Sequence, residues 1–381
     1  PQNLSANTTV LTIEGKFQDI AMGPIAALES IKHLGTNGGG FLGANSSTPL
    51  ENPNVITNMA EMLSMMLLPG SCVIAFGHMV RSRKKKTKKA KENMPLVGSE
   101  AKPIFAVMSV IFIIGIAACF ISESFGNPIL ERVGLNQSMG NMEGKEVRFG
   151  IAQSAMFTTV TTAFTTGTVN NMHDTLTPLG GAVPLMNMML NVVFGGKGVG
   201  LMNMILYAIL AVFICGLMIG RTPEYLGKKI EGKEMKLTAL GIIIHPLLIL
   251  AFSSLAVAVP AGIEGITNPG HHGLTQLLYE FASSAANNGS GFEGLADNTF
   301  FWNITTGLVM FFGRYLSIII QLAIAGSLAA KQPVTESIGT LKTDTVTFTV
   351  SLLMVVVIIA ALTFFPAVIL GPVAEHLTLW S

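Results

Sequence analysis

The sequence predicts an all-α integral membrane protein, and three observations carry that prediction. Charged residues make up 12% of the 381-residue chain, about half the ~25% usual in a soluble domain. Mean hydropathy is +0.57. Six stretches reach the roughly 20 mostly apolar residues that a bilayer-crossing helix needs: Thr57–Val80, Pro103–Ile121, Gly200–Gly220, Leu237–Val259, Phe300–Leu328 and Thr347–Leu370. Forty glycines fit the same class, because Gly is commoner in membrane helices than in soluble ones.

The chain opens with PQNLSANTTV, which has no initiator Met, signal peptide or apolar first segment, and we expect a segment upstream of it. Residues 21–41 follow as a short, moderately apolar run ending in glycine, read as a re-entrant loop before helix 57–80. The next connection, 81–102, begins with RSRKKKTKKAK at 81–91, eight Lys/Arg in eleven positions. Such a run marks a cytoplasmic loop that meets anionic lipid head groups, and its place between two membrane helices argues against nucleic acid. The connection 221–236 is also basic, with five Lys/Arg against three Glu. Segments 123–150 and 260–275 are much poorer in positive charge, so alternate crossings put them on the outer side. Cys72, Cys119 and Cys215 all lie inside apolar runs, with no zinc-ligand spacing.

Three of the stretches preceding an inward helix share a pattern. GPIAALESIKHLGTNGGGF, GIAQSAMFTTVTTAFTTGTVNNMHD and GLTQLLYEFASSAANNGSGFEG each run from a Ser/Thr/Ala-rich segment into a small polar glycine cluster. Counted on Gly38, Gly167 and Gly289, the separations are 129 and 122 residues (167 − 38 and 289 − 167). A helix, re-entrant loop, helix unit therefore recurs, as transporter repeats do. We divide the chain into 1–102, 103–236 and 237–342, each holding one loop, and a C-terminal helix in 343–381.

Polar, glycine-rich backbone at membrane depth is tolerated where protein shields it or it lines water. TNGGG, TTGT and NNGSG offer carbonyls and small hydroxyl or amide oxygens, which replace the hydration shell of a cation. None of the three clusters holds Asp or Glu, which favours K⁺ or Na⁺ over a divalent ion. The phosphate-loop alternative fails because GTNGGGF lacks the GK[ST] ending and the strand-then-helix context.

MGPIAALESIKHLGTNGGGF…ANSSTPLENPN, NMEGKEVRFGI, MHDTLTPLGGAVP, RTPEYLGKKIEGKEMKLTAL, NNGSGFEGLADNTFFWN and ALTFFPAVILGPVAEH closely resemble the channel-like, potassium-binding subunits of Kdp-type potassium-transporting ATPases. The resemblance covers essentially the whole chain and implies pore-loop repeats of the K⁺ transporter superfamily. It also implies a multi-pass protein of a bacterial or archaeal cell membrane, beside a P-type ATPase subunit that uses the ATP and small accessory membrane subunits. K⁺ is then the transported ion, with no covalent cofactor and no transition metal. By position, Thr36, Asn37, Gly38 and Gly39 look like the second filter loop. Thr165, Thr166 and Gly167 look like the third, and Asn287, Asn288 and Gly289 the fourth. The family's first loop has no counterpart here, so three of four filter loops are expected.

NVVFGGKGVG, 191–200, interrupts an inward helix. It reads either as an ordinary glycine kink or as a gate, where Gly195 and Gly196 bend the chain and the Lys197 ammonium competes with K⁺. Arg314 is a second intramembrane cation, able to neutralise an acid or repel leaking cations. His173–Asp174 reads as a helix start with Asp174 as N-cap. His271 and His272 are placed in a polar outer loop, and Glu51, Glu293 and Asp297 near the outer mouths, as attractors of cations or as solvated charges. Nothing resembles a phosphorylated Asp segment or a nucleotide motif, so a transport subunit is favoured over an enzyme. A stand-alone channel or symporter of the same superfamily is the alternative, and a membrane enzyme using His173 and Asp174 a distant one.

Overall fold

In the computed structural model, residues 2–43, 45–84, 97–334 and 341–379 are described. An antiparallel hairpin of β1 (Asn7–Leu11) and β2 (Phe17–Ala21) opens the chain, where the sequence signalled no strand. The Thr-Thr-Val-Leu and Phe-Gln-Asp-Ile stretches carry the β-branched and aromatic residues that favour strand pairing.

Helix α1 (Ile25–Leu34) is too short to cross a bilayer, and α2 (Val55–Lys84) crosses over Val55–Val80. Next come α3 (Lys102–Ser124), α4 (Pro128–Arg132, capped by the Asn127 side chain) and α5 (Gly150–Ala163). The predicted inward helix after α5 is split into α6 (Pro178–Leu190) and α7 (Val199–Ile219). A second small hairpin, β3 (Glu224–Tyr225) and β4 (Lys228–Lys229), leads to α8 (Gly232–Ala258), whose start is closed by a capping box of Glu231 and Glu234. The turn α9 (Pro260–Ile263), the short α10 (His271–Ala286), the long α11 (Phe300–Ala330) and α12 (Val346–Val368) complete the core of the fold. After α12 the chain kinks at Gly371 and ends in α13 (Ala374–Leu379).

Among the described residues six helices are long and apolar enough to cross a membrane, so the chain is a multi-pass helical membrane protein. Of the basic run at 81–91, residues 81–84 continue α2, while 85–91 and the side chains of the whole run lie outside the described residues. His271 and His272 open α10 rather than sitting in a loop. Most of the segment 260–275 is therefore turn and helix start.

Of the three short helices that precede the glycine clusters, α5 and α10 are placed inside the bundle by their neighbours, whereas α1 is half-exposed at its side. Helix α5 packs against α3 and α6, α10 against α6, α8 and α11, and α1 against α2. Helix α5 is buried from Ser154 to Ala163 apart from Met156, although four of those residues are threonines. The polar cost is met locally, for Thr159 and Thr162 hydroxyls donate to carbonyls four residues back, Ala155 (2.9 Å) and Thr158 (2.8 Å). One apolar cluster gathers Met62, Phe157, Phe164 and Phe194, and a second gathers Tyr279, Phe281, Phe292 and Trp302.

Candidate functional site

Helices α1, α5 and α10 end alike. Thr36, Thr165 and Asn287 take left-handed φ angles of 47°, 50° and 54°. Each N–H donates to the carbonyl three residues back: Thr36 to His33 (3.1 Å), Thr165 to Thr162 (3.3 Å) and Asn287 to Ser284 (3.1 Å). Each following N–H reaches five residues back: Asn37 to Lys32 (3.0 Å), Thr166 to Thr161 (2.8 Å) and Asn288 to Ser283 (2.9 Å). A left-handed residue at this position caps the orphan carbonyls of a helix end. For a non-glycine residue it costs on the order of 1–2 kcal/mol, so three instances mark a constrained chain reversal.

Glycine follows two or three residues later where a second left-handed angle is needed, at Gly39 (φ 89°), Gly167 (φ 86°) and Gly289 (φ 102°). In the last two loops a hydroxyl six residues back accepts the glycine N–H, Thr161 for Gly167 and Ser283 for Gly289, both at 3.1 Å. The first loop departs: its left-handed glycine is Gly39, and the Gly39 N–H donates to the Asn45 amide oxygen (2.6 Å). The N–H groups are thus spent on the helix ends and their hydroxyls. Among the described residues no hydrogen bond is made to the carbonyl oxygens of Thr166, Gly167, Asn288 or Gly289.

The loops meet one another. A Cβ built on Gly38 would lie 2.9 Å from the Gly167 carbonyl, and one built on Gly167 would overlap the carbonyl oxygen of Asn288. Gly167 is therefore the point where all three loops touch. Thr36 Oγ1 and Thr166 Oγ1, in two of these loops, are buried with no hydrogen-bond partner among the described residues. Unbonded carbonyls and unsatisfied hydroxyl oxygens, with no carboxylate among them, form a donor set suited to a weakly hydrated monovalent cation. The Asn288 side chain is not part of that set, because its amide donates to the Thr161 carbonyl (3.1 Å) and its oxygen accepts from Ser290 (2.6 Å).

The break between α6 and α7 abuts the same loops. A Cβ on Gly196 would come within 3.1 Å of Thr36 Oγ1 and 3.4 Å of the Thr165 carbonyl, while the Gly195 N–H donates to the Ala163 carbonyl (3.0 Å). The Phe164 and Phe194 rings stack at 4.9 Å, pinning the break to the end of α5. Asn191, Phe194 and Lys197 are left-handed at φ 47°, 56° and 45°, a concentration of backbone strain over seven residues. Lys197 itself is exposed.

A cavity of about 90 Å³ opens beside Asn191 and Asn287, and its polar lining includes Asn203, His245, Arg314 and Gln321. Thr165 Oγ1 to Asn191 (3.4 Å), Asn203 to the Asn191 carbonyl (2.8 Å) and Gln321 to Asn203 (2.7 Å) form a polar line from the filter loop into it. Asn191 opens the glycine stretch singled out from the sequence, but Asn203 and Gln321 carried no signal there, since single amides inside apolar runs match no motif.

Behind the first loop lies a buried polar knot. Lys32 Nζ is 2.5 Å from Glu29. Ser46 Oγ lies 3.2 Å from Lys32, Glu29 and the His33 ring, and 3.1 Å from Thr168 beside the third loop. Glu29, His33 and Glu61 bring three ligand atoms within 4.8 Å of one another, but the Lys32 ammonium already takes the cation's place against Glu29.

Three expectations are corrected. Asp174 caps no helix: Thr177 precedes α6, and Asp174 instead accepts from Gln276 (2.8 Å) and contacts His272 (3.1 Å), which also bonds Glu375 (2.8 Å). His173 and Asp174 are turned to different partners, His173 to the Tyr279 hydroxyl (2.6 Å), so they form no acid–base pair. Glu51 is buried and accepts the Leu42 N–H (3.0 Å) and the Thr48 hydroxyl (3.1 Å), so it braces the first loop rather than attracting ions.

The potassium-transporting ATPase A subunit (KdpA) family model matches residues 1–377. The chain is 62% identical over 379 residues to the potassium-transporting ATPase potassium-binding subunit of Clostridium acetobutylicum. It is 57% identical to the protein of that name from Geobacillus kaustophilus and 55% to potassium-binding subunit 2 of Staphylococcus aureus strain N315. Each alignment covers all of this chain but only 65–66% of the relative, so the chain spans a little under two thirds of their length.

Proposed function

The chain belongs to the potassium-transporting ATPase A subunit family, and on that premise we propose that it selects and passes K⁺ for an ATP-driven import complex. The observation that carries this reading is the meeting of three left-handed loop ends at Gly167, with unbonded carbonyls and, in two of these loops, the orphaned Thr36 and Thr166 hydroxyls. These oxygens stand in for the ion's water. K⁺ binds through Thr36, Asn37, Gly38 and Gly39, through Thr165, Thr166 and Gly167, and through the backbone of Asn287, Asn288 and Gly289. Each of the units 1–102, 103–236 and 237–342 contributes one loop to the path.

Past the loops the ion meets the 191–198 break. Gly195, Gly196 and Lys197 act there as a gate on the direct route, with the Lys197 charge opposing passage. The ion turns sideways into the cavity of Asn191, Asn203 and Gln321, and Arg314 prevents cations from leaking beyond it. ATP hydrolysis belongs to a partner P-type ATPase subunit, with small accessory membrane subunits in the same complex. The chain itself is a non-catalytic transport subunit of a bacterial cell membrane, its run at 81–91 facing anionic lipid.

The test is ATP hydrolysis by the native complex, purified from its membrane and titrated with K⁺ and Na⁺. Hydrolysis stimulated by K⁺ at low concentration, and lost in Gly167→Ala, is expected. Hydrolysis indifferent to K⁺ overturns the reading, and K⁺ uptake without ATP turnover assigns the chain to a channel or symporter.

A further inference from the structure

A directed chain of hydrogen bonds runs behind the third and fourth loops. The Asn288 amide nitrogen donates to the Thr161 carbonyl (3.1 Å), which fixes the side-chain oxygen as acceptor. The Ser290 hydroxyl donates to that oxygen (2.6 Å), and its only proton is then used. At 3.0 Å the Tyr279 hydroxyl must therefore be the donor to Ser290. With its own proton spent, the Tyr279 oxygen accepts from His173 Nδ1–H at 2.6 Å. Burial, with a smaller effect of Lys145, pushes the His173 pKa down to about 3, so the neutral ring with its proton on Nδ1 is the form present. Its Nε2 is the unprotonated atom, and it is the one left buried without a partner among the described residues.

The chain closes on itself. Thr161, which receives the Asn288 amide, also holds the Gly167 N–H with its hydroxyl (3.1 Å), and the Asn288 carbonyl lies against Gly167. Tyr279 is fully buried and stacks on Phe292 at 4.3 Å, so its hydroxyl is held in place by the ring rather than by solvent.

We propose that Tyr279 and Ser290 are positioning residues that set the spacing between the third and fourth filter loops and thereby the preference for K⁺ over Na⁺. This rests on the filter reading above. The Met188 sulfur, 4.0 Å from Ser290 Oγ, is the weaker alternative acceptor, so the relay favours one bonded state and resists the inward movement of the Asn288 carbonyl that a smaller ion requires. A deleted hydroxyl frees Ser290 to rotate and lets that carbonyl drift.

The experiment measures the half-saturating concentrations of K⁺ and Na⁺ for ATP hydrolysis by the complete native complex. In Tyr279→Phe, which keeps the ring, the K⁺ over Na⁺ ratio falls by roughly three- to tenfold, the equivalent of one lost hydrogen bond. Ser290→Ala falls in the same direction, and Tyr279→Phe/Ser290→Ala falls no further than the larger single effect, because both break one circuit. Tyr225→Phe removes another buried hydroxyl, in the β3–β4 hairpin and in none of the three loops, and leaves the ratio unchanged. Thermal stability is read alongside. A Tyr279→Phe complex that loses stability but keeps its ratio overturns the proposal, as does a ratio that falls equally in Tyr225→Phe. If Tyr279→Phe does not assemble, Ser290→Ala alone decides. Absence of K⁺ preference in the unmodified complex instead removes the filter reading itself.

Discussion

Lys145 Nζ lies 2.6 Å from Glu123 Oε2 with both side chains completely buried. The pair joins the end of α3 to the loop before α5, and the carboxylate also takes the Thr177 N–H (2.8 Å), the Thr177 hydroxyl (2.6 Å) and the Asn141 amide (2.8 Å). Every lone pair of Glu123 is thus used, which is what a buried ion pair needs to repay desolvation. Lys145→Met leaves the carboxylate buried without its cation and is expected to cost about 3–5 kcal/mol. Lys145→Met/Glu123→Gln should recover part of that loss. Thermal unfolding of the purified variants checks both, and a single variant as stable as the parent refutes the assignment.

Glycine matters at the loops for two separable reasons. Gly167 has φ 86° and no room for a Cβ, whereas Gly289 has φ 102° with no atom within 4 Å of the Cβ position. Gly289→Ala therefore adds only backbone strain, on the order of 1–2 kcal/mol. Gly167→Ala adds overlap with the Asn288 carbonyl and must displace the fourth loop. K⁺-stimulated ATP hydrolysis should fall at least tenfold in Gly167→Ala and stay within a few-fold in Gly289→Ala. The reverse order contradicts the contact at Gly167.

The crossing helices were legible because length and hydropathy alone specify them, and the glycine clusters because they recur at similar spacing. Most helix ends fall within a few residues of expectation; the start of α8, Gly232 against Leu237, is the widest miss. The hairpin at Asn7–Ala21 was not legible, since its exposed strands carry a weak alternation and no two-residue turn signal. Which oxygens are unbonded was also hidden: Asn288 and Thr166 look alike as polar loop residues, yet one side chain is fully bonded and the other orphaned. Asp174 was misread because an N-cap is a local pattern, whereas its partners His272 and Gln276 are about a hundred residues away. The tertiary fold made that choice.

His272 joins the third outer loop to the C-terminal segment through Asp174 and Glu375. Burial alone would lower its pKa, but the hydrogen bonds and charges of Asp174 and Glu375 outweigh it and raise it to about 9. A folded value above the ordinary 6.5 means stability that is fully present below about pH 6.5 and lost as pH rises through 9. The parent should therefore lose melting temperature between about pH 6 and pH 9.5 by more than His272→Gln does. Parallel pH profiles for the two would show that the bridge contributes nothing.

Ser46 is the single hydroxyl shared by Lys32, Glu29, His33 and Thr168. Ser46→Ala removes it without creating a large void, and leaves several buried polar atoms short of a partner, at about 1–3 kcal/mol. Because Thr168 follows Gly167 directly, the change should also weaken apparent K⁺ affinity severalfold. Ser46→Thr retains the hydroxyl and should restore affinity if its methyl is accommodated. An affinity that follows neither variant would separate this knot from the loops.

Lys197 sets the last prediction. Its neighbour Gly196 lies against Thr36 and Thr165, its φ is 45°, and its side chain is exposed rather than buried in an ion pair. On the gate reading proposed above, the Lys197 ammonium opposes the ion by its charge. Lys197→Gln removes the charge and keeps the length, so K⁺ uptake should become leakier, with more ions moved per ATP-independent opening. Lys197→Gly relieves the left-handed strain as well, by about 1 kcal/mol, and should raise stability while giving the same leak. Flux of K⁺ through reconstituted complexes without ATP distinguishes the two contributions. Equal leak in both variants assigns the gate to charge, whereas leak in Lys197→Gly alone assigns it to the strained backbone. A tight complex in both would leave Lys197 with no part in closing the path.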